Sequence, residues 1–197
     1  AMFAAGVPVF LILYPLQFKA AAYTDAPQRY RTAALSLAMD VKDTEFSRIL
    51  YWNYDRLKEI DSLARADGRS IYSQSYIQHI KAPYSPLRIE QAQPCQFYLD
   101  KMTALDGEAA YLRAEGWVYA PVQAIVPFAM YFANPEGLIG YAITGQHRPD
   151  VAQMLQAPKA TEAGFIGYVL KDELENKPVR IQAIDRYGKE LCSLTLN

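Results

Sequence analysis

The feature that most constrains this chain is a change of hydrophobic period at Cys95. Upstream, apolar residues recur at helical spacing; downstream they alternate with a period of two, so one chain carries two kinds of element in series. Seven strand candidates follow the change, at residues 96–100, 109–119, 122–133, 137–144, 164–171, 179–186 and 191–196. Turn residues separate most of them: Leu105-Asp106-Gly107, Asn134-Pro135-Glu136-Gly137, the 175–177 stretch and Tyr187-Gly188. Seven short strands at this spacing, without intervening helices, predict an immunoglobulin-like sandwich. The fold class expected is therefore α+β, with a small N-terminal helical subdomain followed by a seven-stranded antiparallel immunoglobulin-like β-sandwich. Residues 147–161 interrupt the pattern, and their Ala-Gln-Met-Leu-Gln-Ala stretch predicts a helical turn crossing from one sheet to the other.

Three units follow from this division. Residues 1–22 form an apolar segment, 23–94 a helical subdomain with a Pro-rich connector, and 95–197 the sandwich. In the first unit, residues 3–18 are one apolar run closed by Lys19. That is short of the about 20 residues a membrane helix needs, and no basic residue precedes it as in a signal peptide. It reads either as the end of a membrane helix, which would bring the chain into membrane contact, or as a buried segment bent at Pro8 and Pro15.

In the second unit, Thr24 and Asp25 before Pro27 make a helix start. Tyr30, Ala34, Leu37 and Val41 then form one apolar stripe. Asp43 is placed to cap a second helix carrying Phe46, Ile49 and Leu50. Asn53 is placed to cap a third, with Leu57, Ile60, Leu63 and Ala64 on one face and Gly68 at its end. Residues 71–94, broken by Pro83, Pro86 and Pro94, read as an extended connector lying along the protein surface.

Charge excludes one class of partner. Twenty Lys and Arg against 21 Asp and Glu give a net charge of −1, so the basic excess that a nucleic-acid face requires is missing. No CxxC or HxxxH spacing marks a metal site, and the scattered glycines form no phosphate loop, so no cofactor is called for. The fifteen Tyr suit half-buried strand positions and sugar- or protein-binding surfaces alike. Cys95 opens the first strand and Cys192 lies in the last. Either they form a bridge, which needs an oxidising compartment, or they remain two buried thiols.

Catalytic constellations are weak. His79 and His147 lie in the connector and in a loop, with no GxSxG elbow near either. An enzyme reading, a hydrolase or transferase, needs a site between helices and sandwich built from groups such as Asp43, Tyr54, Asp55, His79 or Arg148. The more informative cluster is Gly116-Trp117-Val118, Gly145 to Val151, and Gly164-Phe165. As structure, Trp117 packs between sheets, Asp150 caps the turn after Pro149, and Arg148 pairs with a carboxylate on a neighbouring loop. As function, Trp117, His147, Arg148 and Asp150 form a sugar or partner site at one end of the sandwich.

In that order, Gly-Trp-Val, Arg-Pro-Asp-Val and Gly-Phe resemble a β-sandwich module in extracytoplasmic parts of bacterial cell-surface glycan and glycosyltransferase-type proteins. The upstream stretch, Ala33-Ala34-Leu35, Asp43, Leu50-Tyr51 and residues 57–71, is similar to the soluble region after the last membrane helix in polytopic proteins of that group. Together the two resemblances cover residues 29–196. The chain departs from the pattern in having no complete membrane helix. The resemblance implies a place in the bacterial cell envelope, on the periplasmic or extracellular side, with glycan, lipid-linked sugar or a partner membrane protein as contact. It implies a non-catalytic role here, with any transferase chemistry in a membrane portion. A purely structural spacer packed against other subunits is a third reading.

Overall fold

A computed structural model of the chain describes residues 26–74, 77–78, 80, 93–174 and 177–196. The apolar run at 3–18, His79 and most of the Pro-rich connector lie outside the described residues. Three helices come first, α1 (Ala26–Ala38), α2 (Thr44–Leu50) and α3 (Tyr54–Asp67). The starts of α2 and α3 and the end of α3 follow the expected chemistry, while Thr24 and Asp25, the expected start of α1, lie outside the described residues. Asp43 caps α2 by accepting the amides of Glu45 and Phe46, and Asn53 caps α3 by accepting that of Arg56. Gly68 closes α3 in the left-handed region at φ 62°. The connector begins helically, with a 3₁₀ turn over Ser70–Ser73 that buries Tyr72.

Two helical faces differ from the expected ones. Tyr30 is exposed, and residues 32–38 of α1 are all buried. Helix α1 is enclosed: Ala34, Leu35 and Ala38 pack on the sheet, while Ala33 packs with Phe46 of α2. Its buried hydroxyls return to its own backbone, Thr32 Oγ1 donating to Gln28 O and Ser36 Oγ to Ala33 O. On α3 the inward residues are Leu57 and Asp61, whereas Ile60 and Leu63 face outward. A carboxylate takes the inner position because Arg65 and the Tyr72 hydroxyl both donate to it.

The second half is one continuous antiparallel sheet of seven strands. These are β1 (Gln96–Ala104), β2 (Tyr111–Tyr119), β3 (Ala129–Asn134), β4 (Gly137–Gln146), β5 (Gly164–Leu170), β6 (Val179–Ile184) and β7 (Glu190–Leu196), in the order β1-β2-β5-β4-β3-β6-β7. The sheet curls into a half-barrel, so the two separate layers expected of a sandwich are replaced by one sheet turned on itself. Its concave face is filled by Ala114, Val118, Met130, Phe132, Phe165, Val169, Ile181 and Cys192. Phe165 reaches both Phe97, with ring centroids 5.6 Å apart, and Phe132, at 6.4 Å. Gly116 makes room for this: a Cβ there would lie 2.1 Å from Tyr98 O and 2.9 Å from the Phe165 ring.

At one end the two edge strands meet. Ser193 N donates to Gln93 O at 3.1 Å and Cys95 N to Ser193 O at 3.4 Å, and Pro94 bridges Ser193 in parallel. A disulfide joins Cys95 to Cys192 there, with Cα atoms 5.1 Å apart. The convex face receives α1, which packs against Tyr141, Ile143, Tyr168 and Ile184. Between β4 and β5, neighbouring antiparallel strands, the chain inserts α4 (Pro149–Met154) and a 3₁₀ turn at Pro158–Glu162. The helical insert thus connects adjacent strands of one sheet instead of crossing between two.

Candidate functional site

The sequence-derived cluster comes together, but around packing and ion pairs. Trp117 points away from the concave core and lies half-buried against Tyr119, Val151, Ala160 and Ala163. It is therefore the floor under α4 and the 3₁₀ turn, not a plug between sheets. Arg148 donates to both oxygens of Asp150, with Nη2 to Oδ2 at 2.7 Å, and Nη1 to Asp100 Oδ2 at 2.5 Å. Asp100 stands where the β1–β2 register skips, so the bulge aims it at the insert. Hydrogen bonding from Arg148 holds Asp150 below the usual carboxylate range, and the bond to Asp150 raises Arg148 in turn. No side chain caps α4, whose N-cap residue is Arg148 itself, with Pro149 in its first turn. His147 is exposed, its Nδ1 3.1 Å from Glu162 Oε1.

Of the groups gathered for an enzyme reading, His79 lies outside the described residues, and the others are each committed to separate contacts or exposed. Asp43 is 1% exposed and committed twice over. Its Oδ1 caps α2, while Oδ2 accepts Arg113 Nη1 at 3.1 Å and the Tyr168 hydroxyl at 2.9 Å. Burial, and then the Asp43 charge, push the Tyr168 phenol well above its ordinary range. Burial works to lower Arg113, but Glu45 and Asp43 outweigh it and raise it. This is a locked joint between α2, β2 and β5. Tyr54 sits under Lys42, whose Nζ is 5.7 Å from the ring centroid, and Asp55 is exposed.

Sequence reasoning missed a groove of about 410 Å³ at the disulfide end of the sheet. Its floor is the 125–128 approach to β3 together with the end of β4. Phe128 N donates to Ile184 O at 2.8 Å, and Thr144 Oγ1 donates to Phe128 O at 3.1 Å and to Pro127 O. One wall is α1: Gln28 Nε2 donates to Thr144 O at 2.7 Å, Arg31 Nη1 donates to Gln28 Oε1, and Arg31 stacks 4.9 Å over Phe128. Gly145 at φ 111° is required for this approach, since a Cβ would lie 2.9 Å from Gln28 Oε1.

The opposite wall is the β6–β7 turn. Asp185 Oδ1 accepts the amides of Tyr187 at 2.8 Å and Lys189 at 2.9 Å, and Gly188 takes φ 82°. This fixes the turn and leaves Tyr187 84% exposed on the rim, beside Arg186. Glu162, the partner of His147, completes the lining. Its traces in the sequence are the Tyr187-Gly188 turn signal and Gly145, which heads the Gly145–Val151 cluster. Nothing in spacing brings that turn to Arg31.

A second cavity of about 470 Å³ lies at the other end, between the Asn134–Gly137 turn and Arg180. Its polar groups bind one another. Asn134 donates to Glu173 at 2.8 Å, Lys177 bridges Glu136 and Glu173 at 2.9 Å each, and Arg180 faces Glu190. Among the described residues no cluster of His, Cys, Asp and Glu could hold a metal ion, and no helix is long and apolar enough to cross a membrane.

No protein-family model, curated protein or solved structure matches the chain.

Proposed function

We propose that this chain is a non-catalytic extracytoplasmic domain of a bacterial membrane protein engaged in surface-polysaccharide synthesis or modification, and that it contacts glycan or a partner protein. The observation that carries this reading is the disulfide between Cys95 and Cys192. Disulfides that fasten a fold persist in oxidising compartments such as the periplasm or cell surface, and are rare where thiols are kept reduced. The bridge ties the ends of the sheet beside the groove, so the compartment that forms the bond also shapes the open end of the molecule. As a fold, we read the curled sheet as immunoglobulin-like in its core. Phe97, Phe132 and Phe165 interdigitate across the curl as facing layers do in a sandwich.

The contact role draws support from how the buried charges are used. Asp43, Asp61 and Arg113 hold elements to one another, which favours a rigid platform over a reacting site. The experiment is a binding screen of the oxidised protein against purified bacterial envelope polysaccharides and the membrane proteins of the same envelope. Saturable binding to a polysaccharide supports the glycan part. A tight protein partner with no glycan binding removes that part and leaves the partner role. Turnover of a polysaccharide by the purified chain overturns the non-catalytic reading.

A further inference from the structure

We infer that the groove between the β6–β7 turn and α1 is a saccharide site, and that its ligand is an uncharged hexose unit. The inference rests on the reading of the chain as a glycan-contacting domain, and gives that contact a place and a chemistry. A pyranose ring offers an apolar face of C–H groups and an equatorial belt of hydroxyls. It therefore needs an aromatic surface beside acceptors and donors that are not already used. Tyr187 supplies the surface, 84% exposed on a turn pinned by Asp185. An aromatic of that size held out in water at the lip of a groove costs little conformational entropy when it is covered.

The rim supplies the polar groups. Asp185 uses Oδ1 for the turn, and its Oδ2 has no partner among the described residues; Glu162 uses Oε1 for His147, and its Oε2 is likewise open. Arg186 makes no hydrogen bond or ion pair with the described residues. Two carboxylates that each keep one oxygen open among the described residues suit hydroxyl donors, and the guanidinium suits hydroxyl acceptors. The groove's volume of about 410 Å³ falls within the range of small-molecule sites.

Charge selects the class. Glu162 and Asp185 oppose Arg31 and Arg186 around the same opening. With both signs of charge on the lining, a uronic acid or an amino sugar would each place a like charge near one wall, whereas a neutral sugar places none. The floor is rigid, because Thr144 is bonded to α1 through Gln28, Phe128 to β6 through Ile184, and the two to each other. The site is thus held by elements of the fold, with one loop side chain as its platform.

The test is an NMR titration of the oxidised 197-residue protein with glucose, galactose, N-acetylglucosamine, glucuronate and glucosamine in turn. At least one of the three neutral sugars is expected to shift the signals of Tyr187, Phe128 and Gly145, and glucuronate and glucosamine to bind no tighter. Tyr187→Ala and Glu162→Gln are each expected to weaken that binding about tenfold. Both alter exposed side chains, so an unchanged unfolding midpoint verifies that the fold is kept. Neutral-sugar shifts that map elsewhere, no neutral-sugar binding at all, or glucuronate or glucosamine binding tenfold tighter than the neutral sugars would each overturn the inference. Envelope polysaccharide bound equally well by wild type and Tyr187→Ala sinks the groove while the glycan-contacting reading stands. Loss of polysaccharide binding in the wild type itself sinks both.

Discussion

Asp43 joins three elements of this fold, because one carboxylate caps α2 and receives Arg113 and Tyr168 at 1% exposure. Removing it leaves the nearly buried Arg113 with Glu45 and Glu115 as its remaining partners, and takes from the Tyr168 phenol and the α2 amides their shared acceptor. Asp43→Ala is expected to lower stability by about 2–3 kcal/mol, the cost of a lost cap and of a buried donor left without its acceptor. Urea unfolding measures this directly, and a loss below about 1 kcal/mol would mean that the joint is replaceable by water.

Tyr168 adds a pH dependence. Its phenol is raised above the ordinary value of 10.0 by burial first and the Asp43 charge second, so the folded state holds a proton that the unfolded state releases. Its contribution is complete below pH 10 and declines above it. Tyr168→Phe should therefore show a shallower alkaline fall in stability than wild type. Superimposable pH profiles would remove Tyr168 as a cause; Tyr54, Tyr72, Tyr111 and Tyr131 are raised too, chiefly by burial, and carry the remainder. The capping role of Asp43 was legible from its place before Thr44-Glu45-Phe46. Its partners were not, because Arg113 and Tyr168 lie 70 and 125 residues away and local pattern is silent about such approaches.

Among the elements, the strands were easier to read than the helix faces. Period two marks which residues share a face and is insensitive to what covers them, so six of the seven strands start within two residues of their expected places. Strand β3 starts later, at Ala129, because residues 121–124 turn back so that Ala120 bonds Ile125. Helix α1 misled the pattern because it is walled in by both the sheet and α2. Small residues and self-bonded hydroxyls then pass as a polar face. The edge junction gives the sharpest test at this scale. The bridge spans a sequence separation of 97, so reducing it should cost about 4–5 kcal/mol in the chain-entropy account. Hydrogen exchange at the Cys95 and Ser193 amides should quicken first, since those bonds close the β1–β7 end. Unchanged protection there after reduction would show that the junction holds by hydrogen bonds alone.

At the scale of the whole molecule, the sequence showed that strands would pair, not which with which. A run of seven strands is compatible with two layers or with one sheet curled on itself. The order β1-β2-β5-β4-β3-β6-β7 follows from where the curl brings distant strands together. Gly116 is a local condition of that curl. Gly116→Ala would drive a methyl into Tyr98 O and the Phe165 ring, and a loss of about 1–3 kcal/mol is expected from such overpacking, measurable by thermal unfolding.

The groove, the disulfide and the proposed location are linked, because the bridge closes the end of the sheet at which the groove opens. The most direct measurement is alkylation trapping in the cells that make this protein, followed by mass analysis without reduction. The account predicts Cys95 and Cys192 recovered as one disulfide-linked peptide pair, and recovery of both as alkylated free thiols would contradict it.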